Sequence, residues 1–536
     1  MITLDLATLA TVTNGQLLCH ESLNSITIEN LIIDSRALKL QEKTNEWQEK
    51  GKEAFLALNG PNFDGHRFAQ QVVDNGCQVL IVDHQIDGLN TENVAQIIVD
   101  DTRIALGQIA AYVKQQVGPK TIGITGSSGK TTVKEMLAAI LSRLGKVLAT
   151  DGNFNNDIGV PLTLLRLTQD DDFAVIEMGA NHLGEIAYTT ELVKPDVAMI
   201  NNIAAAHLEG FGDLCGVARA KGEIFSGLAA NGTALYNKDT PYTSKWQWRL
   251  TDKQVRTFSC VDAKSADTDA NTVNNNTGDK YADCYSRNIC LDDNGCASFD
   301  LLTSLGQCAI KLNVPGKHNV CNAVAAAAAA IECGASLQDV RLGLAQMTPV
   351  KGRANIHHLV SKHSTQKIKL IDDTYNANVE SIKAAISLLA NYSGKQILIL
   401  GDMGELGNEA ESYHQEVGKF AKEQGINVLL TLGVLSQNTH DAFAHQNEAI
   451  SKHFSERTHL SAYLFSQLEQ NNLPTQNHIP NQDHISNQNN KNQESNINIL
   501  VKGSRSAHME YVVEDIISWQ ANRYENNVRL ASKDNT

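Results

Sequence analysis

The run Thr121-Ile122-Gly123-Ile124-Thr125, followed at once by Gly126-Ser127-Ser128-Gly129-Lys130-Thr131-Thr132, constrains this chain more than any other feature. The first five residues read as a buried parallel strand, and the apolar periodicity from Thr132 to Leu144 reads as a helix. A glycine-rich turn between such a strand and helix suits an anion. Its glycines let backbone N–H groups turn inward, and the helix N-terminus favours negative charge. In a loop of this kind Lys130 neutralises phosphates and the Thr131 hydroxyl ligates magnesium, while Gly126, Ser127, Ser128, Gly129 and Thr132 line the cradle. The spacing is G-x-x-G-K-T-T, whereas the general phosphate-loop pattern would place its first glycine at Ile124. A glycine-rich turn without a ligand is the bland alternative.

Strand–helix alternation continues beyond the loop, with strands at 173–178 and 197–203. It resumes after about 350, with strands at 368–371, 396–400, 428–432 and 499–501 and helices near 380–391 and 410–424. Such alternation predicts an α/β fold of parallel sheets covered by helices. Residues 1–100 mix short β-like runs with loops, so three domains are predicted, 1–100, 101–349 and 350–536. With 536 residues and 42% hydrophobic content, each can bury a core. The Asn-, Asp- and Gln-rich stretches 263–280 and 470–496 cannot, and read as polar insertions.

A net charge of −15 argues against a nucleic-acid or anionic-membrane surface. The N-terminus lacks the basic-then-apolar order of a signal peptide, and no apolar run reaches the length of a membrane span. A cytoplasmic location is expected. Ten cysteines occur without a C-x-x-C pair. Cys284, Cys290 and Cys296 lie in a polar stretch that reads as irregular and miss the usual zinc spacings, so reduced, unlinked thiols are expected.

Three further residues carry chemistry less clearly. Glu177 ends the apolar run FAVIE beside the loop, where an acid can serve a metal; a strand-end carboxylate facing water is the alternative. His207, in NNIAAAHLEGFG, is by itself more simply structural, since magnesium prefers oxygen ligands. Lys221, in ARAKGEIF, is by default a solvated lysine.

Taken together, TGSSGKTT, GNFNNDIGVPLTLL, VIEMGANHLGEI, NNIAAAHLEGFG and AKGEIF resemble, in order, the central domain of the Mur ligase family, which builds the peptide stem of bacterial peptidoglycan. The resemblance covers nearly the whole chain apart from the polar insertions. It implies an N-terminal α/β substrate domain, a central phosphate-loop ATPase domain and a C-terminal Rossmann-like domain. It also implies ATP, two magnesium ions, and Glu177, His207 and an often carbamylated Lys221 around those ions. Asn319 and Asn322, in the GKHN segment, would meet the adenine ring; a simple helix cap is the alternative. Arg353 would enter from the third domain to touch phosphate, and Asp373, Tyr375 and Asn376 of DTYNAN would contact the nucleotide or substrate. Without the family, Asp373 reads as a turn former and Arg353 as a surface cation.

Within the family the motifs resemble the last-acting member. Asp34-Ser35-Arg36 and Asn62-Phe63-Asp64-Gly65-His66 resemble a uridine-nucleotide site, with Ser35 and Arg36 as contacts. No G-x-G-x-x-G opens the chain and no DNPR occurs, whereas GDMGELG with His414 and KGSRS do. The implied substrates are UDP-N-acetylmuramoyl-tripeptide and D-alanyl-D-alanine, with Asn155, Asn156, Lys502, Ser504 and Arg505 also on the substrate side. The implied reaction is peptide-bond formation through an acyl phosphate, by a monomer with neither nucleic acid nor membrane as partner. The sequence departs from the pattern in an extra charged stretch, Lys39 to Lys50, and in Val379 where the family's YNANP has proline. Of two rivals, a folylpolyglutamate synthetase would not be expected to carry the DSR and KGSRS motifs together, and a non-catalytic nucleotide-binding scaffold would leave the metal carboxylate, the histidine and the third-domain arginine without a shared purpose.

Overall fold

The computed structural model describes residues 1–38, 52–60, 63–240, 242–260, 282–360, 367–444, 450–470 and 496–533. The stretch Lys39 to Lys50, Asn62, the insertion 263–280 and residues 471–495 of the second insertion lie outside them.

Three sheets come from three successive stretches. The first has five strands, in the order Gln16–Leu18, Ala95–Ile98, Val79–Val82, Glu53–Leu56 and Asn30–Ile32. Only the pairing of Gln16–Leu18 is antiparallel. The central sheet has nine strands: Val147–Ala149, Phe173–Glu177, Lys120–Thr125, Val197–Ile200, Thr233–Asn237, Gln254–Ser259, Cys284–Leu291, Cys296–Thr303 and Gly306–Pro315. It is parallel up to Cys284–Leu291 and antiparallel in its last two pairings. The third has six, ordered Asn355–Val360, Lys367–Asp373, Ile497–Lys502, Lys395–Gly401, Val428–Leu432 and Ile450–Phe454. This one is parallel apart from its first pair.

The parallel strands are continuous apolar runs because helices cover both faces. Val79–Val82 and Val197–Ile200 are buried at every position. One core joins the N-terminal helix Leu6–Val12, the helix Thr102–Val117 and one face of the central sheet. The other face is covered by the helices Lys130–Leu141 and His318–Glu332. In the latter, Ala323 to Ala330 are all buried. Alanine adds little transfer energy per residue; its use here is to let the helix backbone lie close to its neighbours.

The structure shifts several expectations. The helix after the loop runs from Lys130 to Leu141 rather than from Thr132 to Leu144, capped by Gly129 at φ 74° and by Ser142. The stretch around Cys284, Cys290 and Cys296 is not irregular but a set of long antiparallel strands. It reads as polar because one face is solvated; Ile310, Leu312 and Val314 alternate inward. Nor are all the thiols unlinked. Cys260, just past the strand Gln254–Ser259, is joined to Cys321 in the first turn of His318–Glu332, with Cα atoms 4.8 Å apart. The helix crosses that strand end and brings together two cysteines 61 positions apart, which no local spacing signals. Among the described residues no helix is long and apolar enough to cross a membrane.

Candidate active site

The loop sits where theory puts a ligand in an open parallel sheet, at the carboxyl ends of the strands. Gly129 must be glycine for two reasons. Its φ is 74°, and a Cβ there would stand 2.4 Å from Asn322 Oδ1 and 2.8 Å from Asn201 Nδ2. The loop is braced from the neighbouring strand Val197–Ile200. Ser128 N donates to Asn202 Oδ1 at 2.9 Å, Ser127 Oγ donates to Ala204 O at 3.0 Å, and Asn201 Nδ2 donates to Ser128 O at 3.0 Å. Lys130 curls back to donate to Gly126 O at 2.8 Å. Desolvation pushes its ammonium below the usual lysine range, opposed by Glu177 and reinforced by Arg353.

Glu177 is buried, 2% exposed, so the water-facing alternative fails. Its carboxylate accepts from Thr131 Oγ1 and from Asn155 Nδ2, both at 2.8 Å. Its backbone N–H donates to Thr150 Oγ1 at 2.9 Å. Asn155, expected on the substrate side, is thus placed on Glu177. Asn156 Oδ1 accepts from Gly159 N at 2.8 Å, at the start of the helix Gly159–Leu164. The Thr131 hydroxyl accepts from Arg353 Nη2 at 2.8 Å, and the Arg353 guanidinium lies 4.3 Å from the Tyr375 ring centre. Neither the loop nor the third sheet alone contains this cluster. Thr132 is buried in the first turn of the helix.

His207 stands at the start of the short helix Leu208–Phe211 with a φ of 55°. Its ring meets Phe211 edge-on at 6.3 Å, and its Nδ1 lies against the Glu405 carboxylate from the third sheet. That contact holds the Glu405 carboxyl below its usual range. Lys221, on the helix Leu214–Gly222, is fully buried with no hydrogen-bond partner for Nζ, and lies 5.4 Å from the centre of the Phe211 ring. Burial first, and then the Lys130 charge, push it down to about 7. It is not a solvated lysine.

Asn319 and Asn322 do more than cap a helix. Asn322 Nδ2 donates to Asn319 Oδ1 at 2.9 Å, and Asn322 Oδ1 accepts from Asn201 Nδ2 at 3.2 Å, linking that helix to the loop. Asp373 is paired with Lys502 Nζ at 2.6 Å, and Lys502 also donates to Asn376 O at 3.0 Å. Tyr375 OH donates to Gly152 O at 3.5 Å. Ser504 Oγ lies 3.1 Å from Ser506 Oγ, and the exposed Arg505 pairs with Glu510 at 3.1 Å. Ser35 and Arg36 sit apart on the first sheet's turn Ser35–Ala37, where Arg36 closes on Asp34 at 2.7 Å.

Sequence reasoning missed Asn201, Asn202, Asn378 and Glu405 as contributors. Asn378 Nδ2 donates to Ser127 O at 3.3 Å. All four lie inside motifs already quoted, but nothing in their spacing marks them out from their neighbours.

A fit test for ATP and magnesium comes from buried polar atoms. Thr125 Oγ1, Asn201 Oδ1, Lys221 Nζ and Arg353 Nε are buried without hydrogen-bond partners, on or close to the loop. Native structures rarely leave such groups unpaired unless something else satisfies them. Hard oxygen donors from Thr131 and Glu177 suit magnesium. The residues fit.

Residues 124–330 match the Mur ligase middle domain and residues 357–505 the Mur ligase, glutamate ligase domain. The chain is 41% identical over 513 residues to the UDP-N-acetylmuramoyl-tripeptide–D-alanyl-D-alanine ligase of Escherichia coli (strain K12), covering 96% of this chain and 98% of that one. It is 39% identical to the enzyme of the same name from Haemophilus influenzae, again covering 96% and 98%. A crystal structure of MurF from Acinetobacter baumannii superposes with a TM-score of 0.80 at 34% identity, covering 97% of this chain and 99% of that one. With these matches spanning the phosphate loop, Glu177, His207, Lys221 and Arg353, the chain belongs to the Mur ligase family.

Proposed function

We propose that this protein uses ATP to join D-alanyl-D-alanine to UDP-N-acetylmuramoyl-tripeptide in peptidoglycan precursor synthesis. The observation that carries the reading is the set of unpartnered buried polar atoms around the loop 126–132, met by Arg353 from the third sheet. Similarity over the whole chain to ligases named for that reaction supplies the substrates.

The reaction balances in two steps. A tripeptide carboxylate oxygen attacks the γ-phosphorus, the bond to the β-phosphate oxygen breaks, and ADP leaves an acyl phosphate. The dipeptide amine then attacks the acyl carbon, phosphate departs with the C–O electron pair, and the ammonium formed loses a proton. Little covalent chemistry falls to the protein, so positioning and charge do the work. Lys130 lets go of Gly126 O to meet phosphate oxygens, while the inward-facing loop amides hold the rest. Arg353 brings a second cation to the same oxygens, and its Tyr375 contact fixes its direction. Glu177, Thr131 and His207 would hold magnesium, which offsets phosphate charge.

Two ions are the fuller reading, with Lys221 carbamylated on the second. A buried amine with no partner is the site such a modification needs: carbon dioxide adds at Nζ, a proton leaves, and the product is a carboxylate-like ligand. Intact mass in bicarbonate tests this, and a bare Lys221 would count against it. Residues 1–100 serve as the uridine-nucleotide domain with Ser35 and Arg36 as contacts, 101–349 as the ATP domain and 350–536 as the domain that brings Arg353. Nucleotide substrates of this kind place the reaction in the cytoplasm.

The test is phosphate release from ATP with the UDP-linked tripeptide, with and without D-alanyl-D-alanine. Release that needs both substrates is expected. Release that ignores the dipeptide, or none at all, would overturn the reading.

A further inference from the structure

One contact of the candidate site joins two quoted motifs, NNIAAAHLEGFG and GDMGELG, from different sheets. Glu405 lies in the turn that follows the strand Lys395–Gly401, and its carboxylate meets His207 Nδ1. Both residues hold left-handed backbones, φ 61° for Glu405 and 55° for His207. A non-glycine residue there costs roughly 1–2 kcal/mol, so such positions persist where the surroundings force them. Here the two lie face to face from different sheets. Glu209 N also donates to Glu405 O at 3.4 Å, and a Cβ on Gly407 would stand 3.6 Å from Glu209 Cα.

The turn that presents Glu405 is firmly built. Buried His414 accepts from Met403 N at 3.0 Å through Nε2 and donates to Ala410 O at 2.7 Å through Nδ1. The Asp402 carboxylate accepts from Val434 N at 2.9 Å and Ser436 N at 2.7 Å, and Asp402 O accepts from Ser504 N at 2.9 Å. His414 therefore acts on the turn rather than on substrate. On the other side, the edge contact with Phe211 at 6.3 Å limits rotation of the His207 ring.

His207 Nδ1 is buried with no hydrogen-bond partner, and the Glu405 carboxylate lies against it. A carboxylate so placed favours the proton on Nδ1, leaves the lone pair on Nε2, and steers tautomer and ring direction in metal sites. We propose that Glu405 is a positioning residue for His207, so that the magnesium site is complete only when the third sheet is docked on the central one. This rests on the reading of His207 as a metal ligand in the proposed ligase. It makes the metal site a sensor of closure. With the third sheet swung away, Arg353 and Glu405 leave together, and both the phosphate cradle and the His207 ligand lose definition. ATP cleavage is then confined to the closed form, which shields the acyl phosphate from water.

The test uses the full chain and Mn2+ as probe, with ADP present and binding followed by electron paramagnetic resonance. Glu405→Gln and Glu405→Gly should each weaken Mn2+ binding about tenfold and raise the Mg2+ activation constant in phosphate release by a similar factor. KM for D-alanyl-D-alanine should stay within about twofold. Glycine adopts the left-handed backbone at position 405 without strain, so Glu405→Gly lets the turn form without the carboxylate, while Glu405→Gln keeps the side chain's size and removes its charge. Glu405→Asp should recover part of the binding. In a His207→Ala background, Glu405→Gln should add less than about twofold. Unchanged Mn2+ binding in Glu405→Gln and Glu405→Gly would overturn the proposal, as would an effect that persists in full without His207. A wild-type chain that binds Mn2+ with this coupling but releases no phosphate would instead overturn the ligase reading alone.

Discussion

Glu177 and His207, both proposed above to hold magnesium, are held in opposite ways. Glu177 is fixed within the central sheet: its strand, Thr131, Asn155 and Thr150 all lie between residues 120 and 177. His207 lies beyond the strand Val197–Ile200 of the same sheet, at the start of Leu208–Phe211, yet its polar partner, Glu405, comes from the third. Arg353, Tyr375 and Asn378 likewise cross from the third sheet to the loop region. One half of the site is therefore built when the central sheet folds, and the other half when two sheets dock. The first half suits tight nucleotide binding, and the second suits control of when chemistry starts.

The largest effect should come from breaking the self-contained half. Lys130→Ala should lower the rate of phosphate release by about a thousandfold or more, as expected when a donor aimed at developing charge is lost. Thermal unfolding should show no loss of stability, because the ammonium removed is a desolvated one. Near-normal turnover would remove the loop from the mechanism.

Lys221 sharpens the comparison, because it belongs to the central half and yet has no partner there. Its folded-state value is about 7 against 10.5, so between those pH values the unfolded chain binds the extra proton. Stability should rise with pH through that window, the charged form being the one that burial penalises. The full cost, on the order of 5 kcal/mol, applies below pH 7. Lys221→Met should accordingly stabilise the apo protein most at or below pH 7, with the gain fading toward pH 10.5. Denaturant unfolding in buffer stripped of carbon dioxide measures this; a gain independent of pH would mean that packing, not charge, governs the site.

The docked half should respond more moderately. Arg353→Lys keeps the charge but loses both the reach to Thr131 and the planar contact with Tyr375. A misplaced cation of this kind should cost up to about a hundredfold in kcat. ADP binding should change little, since the loop is intact. Equal loss in ADP affinity and kcat would show that the two halves are not separable.

How much of this was legible in the sequence follows the same division. The loop, its strand and Glu177 were readable because a parallel strand, a glycine turn and a helix form a local pattern with a local cause. Three strands of the central sheet and four of the third were read; the parallel strands Val147–Ala149, Thr233–Asn237, Gln254–Ser259 and Ile450–Phe454 were missed, as were antiparallel strands such as Gly306–Pro315, where exposed positions interrupt the apolar ones. His207 and Lys221 looked ordinary in isolation; burial and the absence of a partner, which make Lys221 unusual, are properties of the packed molecule. Glu405 was quoted inside GDMGELG without a role, because its partner is fixed only by docking. The Cys260–Cys321 link was hidden for the same reason. Val379, which departs from the family's proline, opens the helix Val379–Ala390 and is buried, at a first-turn position where either residue fits.

The smallest effect is expected at Asn378, which serves both halves at once. Its side-chain oxygen accepts from Ser381 N at 2.9 Å and its backbone N–H donates to Ser381 Oγ at 3.0 Å, a capping box for the helix Val379–Ala390. Its Nδ2 is the group that reaches Ser127 O on the loop, at 3.3 Å. Serine is an equally good cap but is too short to cross between sheets. Asn378→Ser should leave stability within a few tenths of a kcal/mol and raise KM for ATP by about fivefold, the worth of one neutral hydrogen bond of roughly 1 kcal/mol. Asn378→Ala should add about 1 kcal/mol of destabilisation through the lost cap. If the serine variant loses as much stability as the alanine variant, the reach to Ser127 helps hold the two sheets together. If neither variant moves KM, the contact is incidental to closure, and Arg353 and Glu405 carry the docked half without it.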